Sequence, residues 1–373
     1  MLMSQKPVTL AFVGDVMLGR RVNDQIGSRH PAAFWGDVLP LLRSADAVIA
    51  NLECPITNHT KEWRRTWKAF RFRADPSAVS VLKAANIRFV NLANNHILDF
   101  EARGLLDTLG HLDAAGIAHA GAGRCSEDAL RPAILDVAGL KLGFLALTDN
   151  MPEFAAGRDR PGTNFMRIRS DHATLSLIDL LVRELRRSGA DFVVMSAHWG
   201  PNLRPWPPAR FREFAHNVVE LGVDLFHGHS AHLFQGMELH GNGLILYDTG
   251  DFLDDYWVFP FVRTDRSCVF LAELTEGRLR RVRVVPVSLE PTRVRLADPA
   301  EFEAIRRRMY RRCQPFNTAF TPTPEGLEIV VPWPEEDRSR APGYGDRATA
   351  SLPTVPYRLR LGAGRLRDRR PAA

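Results

Sequence analysis

Strand-like apolar runs in this chain end repeatedly in a side chain able to hold a metal ion. Val8–Val13 leads into Gly14-Asp15, Ala47–Ala50 into Asn51-Leu52-Glu53, and Ile87–Val90 into Asn91 through His96. Phe192–Ala197 leads into His198, and Val223–Phe226 into His227-Gly228-His229-Ser230-Ala231-His232. In open α/β sheets, ligands and catalysis gather beyond the carboxyl ends of the strands. Strand ends carrying Asp, Glu, Asn and His therefore predict one shared site, and this mixture of imidazole and oxygen donors suits a divalent first-row metal.

Each motif also has a plainer reading. Gly14-Asp15 fits a turn or a helix cap. Asn51-Leu52-Glu53 is harder to explain as a cap, because a Glu directly after an apolar run has no capping role. Asn94-Asn95-His96 fits either an Asn-rich turn or an amide ligand beside a proton-transferring imidazole. His198 alone fits a core histidine, whereas His229 and His232, with His227 nearby, are the densest imidazole cluster in the chain. After Glu53, Arg64, Arg65, Lys68, Arg71 and Arg73 alternate with Trp63, Trp67, Phe70 and Phe72. That pattern is either an anion clamp, since guanidinium forks suit carboxylate and phosphate, or a solvated basic loop on aromatic stems. Asp251, Asp254, Asp255 and Tyr256 follow another strand end as an opposite wall, a further ligand or surface acidity.

The elements that must position these groups alternate between strand and helix to about residue 250. Helical periodicity covers Ala32–Ser44, Pro76–Ala85, Glu101–Ala115, Asp171–Ser188 and Pro208–Leu221. This order implies a largely parallel core covered on both faces. Beyond Gly236, short strands separated by turns such as Gly241-Asn242-Gly243 and Glu276-Gly277 read as antiparallel hairpins and predict a second, antiparallel sheet that packs against or extends the first. Pro299–Cys313 reads as a closing helix with Asp298 as N-cap.

Composition bounds the alternatives. With 373 residues, 45% hydrophobic and 25% charged, the chain is ordinary globular material. No apolar stretch is long enough to span a membrane and no secretory leader is recognisable, so no membrane span is expected. The four cysteines, Cys54, Cys125, Cys268 and Cys313, form no CxxC pair, which fits a reducing compartment and gives cytoplasm as the expectation. Net charge is +6, but residues 331–373 carry nine Arg against five Asp and Glu, so most of the excess lies in that Pro- and Gly-rich end. A basic tail of that kind lacks the folded basic face that nucleic-acid binding needs, and no nucleic acid is expected as a partner.

The ordered set Gly14-Asp15, Asn51-Leu52-Glu53, Asn94-Asn95-His96, His198-Trp199-Gly200, Gly228-His229-Ser230-Ala231-His232 and Tyr247-Asp248-Thr249-Gly250-Asp251-Phe252 resembles the capsule-synthesis CapA family associated with poly-γ-glutamate. That family is a branch of the calcineurin-like metallophosphoesterase superfamily, and the resemblance covers roughly residues 8–255. It implies a four-layer α/β/β/α sandwich, metallophosphoesterase-like, with one or two divalent metals (Mn, Zn or Fe) at the strand ends. By the resemblance, Asp15, Glu53, Asn95, His198, His229 and His232 are metal ligands, with Glu53 as the bridging carboxylate. His96 assists the leaving group, with Asn95 beside it. The chain departs from the superfamily pattern in several places. Asp15 is followed by Val16-Met17 instead of Asp-x-His, so one first-metal ligand is missing. Gly-His-x-His becomes Gly-His-x-x-His, Pro201-Asn202 follows His-Trp-Gly, and Asp251 stands where relatives have Asn.

The expected organisation is a metallophosphoesterase-like domain over residues 1–298, a closing helix and strand over 299–333, and a flexible tail over 334–373. The expected function is a metal-dependent hydrolase in which a metal-activated water attacks a phosphoester or a γ-glutamyl or other amide bond of an anionic small molecule or polymer. Arg64, Arg71, Arg73 and Asp251 are the expected substrate-binding residues. The alternative is a non-catalytic partner in making or exporting poly-γ-glutamate or a similar anionic polymer.

Overall fold

The computed structural model describes residues 6–331, so the tail expected over residues 334–373 lies outside the described residues. Strands β1 (Val8–Val16), β2 (Ala47–Leu52), β3 (Ile87–Asn91) and β4 (Ala118–Ala120) run parallel in a first sheet. A two-residue ladder joins β5 (Ala122–Gly123) to β8 (Gly162–Thr163). The second sheet takes β6 (Ala133–Val137), β7 (Leu140–Thr148), β9 (Phe192–His198), β10 (Leu225–His229), β11 (Met237–His240) and β12 (Gly243–Leu246), in the order β11-β12-β10-β9-β7-β6. Its four inner strands are parallel and its two edge strands antiparallel. Every residue of β2, β9 and β10 is buried, and a strand covered on both faces has no solvent side to mark with polar residues.

The chain then returns to the first sheet. β13 (Asp251–Leu253) pairs parallel with the end of β1, and β14 (Arg266–Thr275) pairs antiparallel with its body. Beyond β14 lie β15 (Arg278–Glu290), β16 (Arg293–Leu296), β17 (Thr321–Thr323) and β18 (Gly326–Val330), all antiparallel. The hairpins expected after Gly236 therefore do not form a sheet of their own. β11 and β12 finish the second sheet, and β14 to β18 widen the first.

The two sheets face each other. Phe89 of β3 stacks on Phe144 of β7 with centroids 3.9 Å apart, and Phe12 of β1 meets His227 of β10 edge-on at 5.4 Å. Helices α1 (Arg20–Gln25), α2 (Leu39–Ser44), α3 (Val79–Ala84), α4 (Glu101–Ala115) and α5 (Ser126–Leu130) belong to the first half of the chain. Helices α6 (His172–Arg187) and α7 (Ala209–Glu220) pack on the outer face of the second sheet. Ile178, Leu181, Val182 and Leu185 of α6 recur at three- and four-residue spacing and are all buried. Each such burial contributes about 1.5–3 kcal/mol, which is what holds a helix with an otherwise polar surface in place. Leu82, Leu105 and Leu112 from α3 and α4 enter one core cluster with Val48 and Val90 of the first sheet, and this completes four α/β/β/α layers.

The helix expected over Ala32–Ser44 is broken. A 3₁₀ segment, Pro31–Val38, turns at Gly36 (φ 49°) before α2 begins. A Cβ at Gly36 would lie 2.4 Å from the Val294 carbonyl, so the backbone of β16 passes where a continuous helix would carry side chains. Helix α8 (Pro299–Cys313) starts with a capping box between Asp298 and Glu301 and contacts β11, β14, β15 and β18. Among the described residues no helix is long and apolar enough to cross a membrane.

Candidate metal centre

The carboxyl ends of β1, β2 and β3 from one sheet and of β9 and β10 from the other converge. Asp15 lies between them. Its strand is pressed against the turn before β13: the Asp15 amide donates to the Gly250 carbonyl at 2.9 Å. A Cβ on Gly14 would lie 1.7 Å from that carbonyl oxygen, so only glycine allows the approach. Asp15 is buried, its Oδ1 accepts from Asn51 Nδ2 at 2.7 Å, and its Oδ2 has no hydrogen-bond partner among the described residues. Burial, then the neighbouring Glu53 and Asp251 carboxylates, raises the Asp15 carboxyl well above its ordinary range.

Two donor groups meet at Asp15. The first joins Asp15, His198 and His229, and the second joins Asp15, Glu53, His232 and Asp251; within each group the donor atoms lie within 4.8 Å of one another. His198 Nδ1 and His229 Nδ1 approach to 3.1 Å and stand 3.9 and 3.7 Å from Asp15 Oδ1. Burial pushes both imidazoles well below their ordinary value, leaving them neutral, as metal binding requires. In the second group His232 Nδ1 lies 2.8 Å from Asp251 Oδ1 and 3.8 Å from Asp15 Oδ2. Burial alone would lower His232, but Asp251, Glu53 and Asp15 outweigh it and raise the imidazole well above its usual value. Glu53 is buried and pushed up to about 7 by that burial; Tyr256 donates to its Oε2 at 3.2 Å, and its Oε1 has no partner among the described residues.

The carboxylate common to both groups is thus Asp15, whereas the resemblance assigned bridging to Glu53. The reason is topological: β1 lies in the middle of the first sheet with its end directed at β10, while Glu53 follows β2, one strand further out. His229 and His232 fall in different groups. The longer Gly-His-x-x-His turn separates them with Ser230 at φ 115° and His232 at φ 57°, and Asp248 holds it by accepting from the Ala231 and Gly250 amides, both at 2.8 Å. Asp251, expected among the substrate-binding residues, stands among the donors of the second group.

The remaining predicted residues occupy the surroundings. His96 Nε2 lies 3.8 Å from Glu53 Oε1, and its ring stacks on Phe72 at 4.2 Å. Its Nδ1 is 2.6 Å from Asp99 Oδ2 and 2.9 Å from Lys68 Nζ, and burial pushes the imidazole down to about 4. The Asn95 side-chain oxygen is buried without a partner among the described residues. Lys68 is not part of an exposed clamp: its ammonium is buried, pairs with Asp99 at 2.5 Å and donates to the Asn95 carbonyl. Arg71 spends its guanidinium on the Trp63 and Lys68 carbonyls, and Arg73 on that of Thr57, so both build the loop they belong to. Arg64 is exposed, 3.4 Å from Glu62, on a surface cleft shared with Lys61, Arg65 and Glu101.

Two residues outside the expected site set touch its members. Asn51 is a hub: besides bonding Asp15 it lies 3.3 Å from His198 Nδ1, and its Oδ1 accepts from Asn91 and Asn94 at 2.9 and 3.1 Å. Its position at a strand end was the available signal. Asp99, one residue before Phe100 and the start of α4, had none.

These donors fit a divalent cation. Three carboxylates share a buried space, and two of their oxygens, Asp15 Oδ2 and Glu53 Oε1, have no hydrogen-bond partner among the described residues. Buried like charges of this kind are costly unless a cation compensates them. Imidazole nitrogen mixed with carboxylate oxygen is a donor set that first-row divalent metals accept.

Comparison with known proteins finds relatives of this chain. The family model described as bacterial capsule synthesis protein PGA_cap matches residues 9–256. The chain is 32% identical to a probable polyglutamine synthesis accessory protein of Mycobacterium tuberculosis, covering 87% of this chain and 96% of that one. It is 28% identical to the capsule biosynthesis protein CapA of Bacillus anthracis, covering 76% and 68%, and 29% identical to the PGA biosynthesis protein CapA of Bacillus subtilis, covering 77% and 73%. Among solved structures, a hypothetical protein from Thermus thermophilus aligns with TM-score 0.46 at 16% identity, over 75% of this chain and 98% of that one. A 5'-nucleotidase precursor from the same organism aligns with TM-score 0.44 at 13% identity, over 83% and 59%.

Proposed function

Because this chain belongs to the bacterial capsule synthesis protein PGA_cap family, we propose that it is a metal-dependent hydrolase acting on an anionic substrate of the poly-γ-glutamate class, at a phosphoester or a γ-glutamyl or other amide bond. The observation that carries this reading is the pair of donor groups meeting at Asp15, with unpartnered carboxylate oxygens in a buried space. Asp15, His198 and His229 would hold one divalent ion, and Asp15, Glu53, His232 and Asp251 a second. When bound, such ions supply Lewis-acid polarisation of the attacked group and a water of lowered pKa.

The chain's own residues supply the rest. His96 is neutral at pH 7 and is held in one orientation by Asp99, Lys68 and the face of Phe72. With the Lys68 ammonium donating to Nδ1, the proton of the neutral ring sits on Nε2; as Nε2 gives it to the departing atom, Nδ1 would take one from Lys68, so that the ring stays neutral and no imidazolate forms. General-acid assistance of this kind contributes about 10²–10⁴-fold. Phe72 and Tyr256, tilted against each other at 5.6 Å, are the apolar wall that keeps bulk water from His96.

The test is metal analysis of the purified full chain, followed by hydrolysis of p-nitrophenyl phosphate and of γ-glutamyl amides with and without Mn²⁺ or Zn²⁺. Bound metal with turnover on either class supports the proposal; a chain that binds no divalent ion refutes it. Relatives described as accessory proteins of polymer synthesis favour a second reading, a non-catalytic partner in polymer assembly. Metal without turnover selects that reading.

A further inference from the structure

A second donor cluster lies outside this centre, on the edge strand of the second sheet. His216 and Glu220 are four residues apart on α7, and Glu238 and His240 are two apart on β11. Both spacings put the two side chains on one face of their element. The faces meet: His216 Nε2 lies 3.0 Å from Glu238 Oε2, and His240 Nε2 lies 3.0 Å from Glu220 Oε1. The two imidazoles stack with centroids 3.9 Å apart and planes within 2° of parallel. Donor atoms of His216, Glu238 and His240 all lie within 4.8 Å of one another.

The geometry points to a divalent transition-metal site, of the zinc class, built from His216, Glu238 and His240, with Glu220 at its open side. Two imidazoles and a carboxylate are a recurrent zinc donor set. A separate observation distinguishes this cluster from ordinary surface ion pairs. Glu238 is oriented from below by Tyr247, a fully buried residue whose hydroxyl donates to Glu238 Oε2 at 2.5 Å and lies 3.3 Å from His216 Nε2. Such an outer partner fixes a ligating carboxylate in place. An ion here ties α7 to β11, whose outer edge has no strand partner among the described residues, and so secures an edge strand against pairing with other chains.

The test uses the full chain carrying Asp15→Asn, which disables the main centre and leaves this cluster intact. Titration with Zn²⁺ should find a bound equivalent that is lost in the further variant His216→Gln/His240→Gln and weakened on the order of 10-fold by Tyr247→Phe. Equal zinc content with and without the two histidines overturns the proposal. A measurement that needs no histidine variant is the imidazole nitrogen NMR spectrum of the Asp15→Asn chain. Zn²⁺ should shift the His216 and His240 resonances, and unshifted resonances at saturating Zn²⁺ overturn it as well.

Discussion

Asp15→Asn separates the proposed centre from a merely acidic pocket. The substitution keeps shape and the bond to Asn51 while removing the one charge common to both donor groups. It should therefore deplete both ions, whereas His229→Ala should deplete the first alone and Glu53→Gln the second alone. Apparent binding energies of about 10–16 kcal/mol spread over four ligands give roughly 2.5–4 kcal/mol per ligand, or about 10²–10³ in dissociation constant. The metal-free chain should respond in the opposite direction. Asp15 Oδ2 is buried, unpartnered among the described residues and beside Glu53 and Asp251, and relieving it is worth on the order of 1–3 kcal/mol. The metal-free variant should thus melt at or above the metal-free parent by about 2 °C or more, and the metal-loaded order should reverse. The assay is elemental analysis after dialysis against Mn²⁺ or Zn²⁺, paired with thermal melting with and without chelator. A variant that retains the parent's full metal content refutes the shared-ligand geometry. One that melts well below the parent without metal refutes the charge argument.

Three further outcomes follow from the same structure. Asp99→Asn should leave metal content unchanged and reduce hydrolysis by about 10–100-fold, because it releases His96 without touching a donor; unchanged kcat counts against the positioning role. Glu53, pushed up to about 7 by burial, binds its proton more tightly folded than unfolded, so its contribution to metal-free stability falls as pH rises from about 4.5 to 7. Metal binding needs the carboxylate, so the gain in melting temperature on adding metal should grow from pH 5.5 to 7.5, and a constant gain refutes the linkage. Gly14→Ala places a Cβ 1.7 Å from the Gly250 carbonyl oxygen, and should cost more than about 4 kcal/mol in denaturant unfolding.

Much of the centre was legible because buried parallel strands leave an unmistakable mark, a run of apolar residues stopped by a polar one. Asp15, Glu53, His198, His229 and His232 were marked as candidates that way, and their donor atoms come together in the structure. What the runs do not carry is which sheet each strand joins. A strand covered on both faces reads alike in either sheet, so the partition of β1, β2 and β3 from β9 and β10 was visible only through family resemblance. The family resemblance gave the bridging role to Glu53, and the carboxylate that the two donor groups share is Asp15. Lys68 misled for a different reason: its neighbours Arg64, Arg65 and Arg71 give a basic loop, and nothing local says that one cation of the set turns inward to Asp99. Asn51 acts through partners 36 to 147 residues away, beyond any periodic signal, and Asp99 joins His96, three residues before it, to Phe72 and Lys68, 27 and 31 residues away.

The stretch Asp248–Leu253 is a seam. It leaves β12 in one sheet, and within a few residues Gly250 and Leu253 accept from the Asp15 and Met17 amides of the other, while the Thr249 amide returns to the Gly228 carbonyl at 2.9 Å. Neither half can fray here without unzipping its neighbour. Deuterium uptake at the Asp15, Met17 and Thr249 amides should consequently be among the slowest in the chain and should track whole-molecule opening. Circular permutation or a chain break placed within the seam should abolish the native state, where the same cut at the Gly241 turn is tolerated.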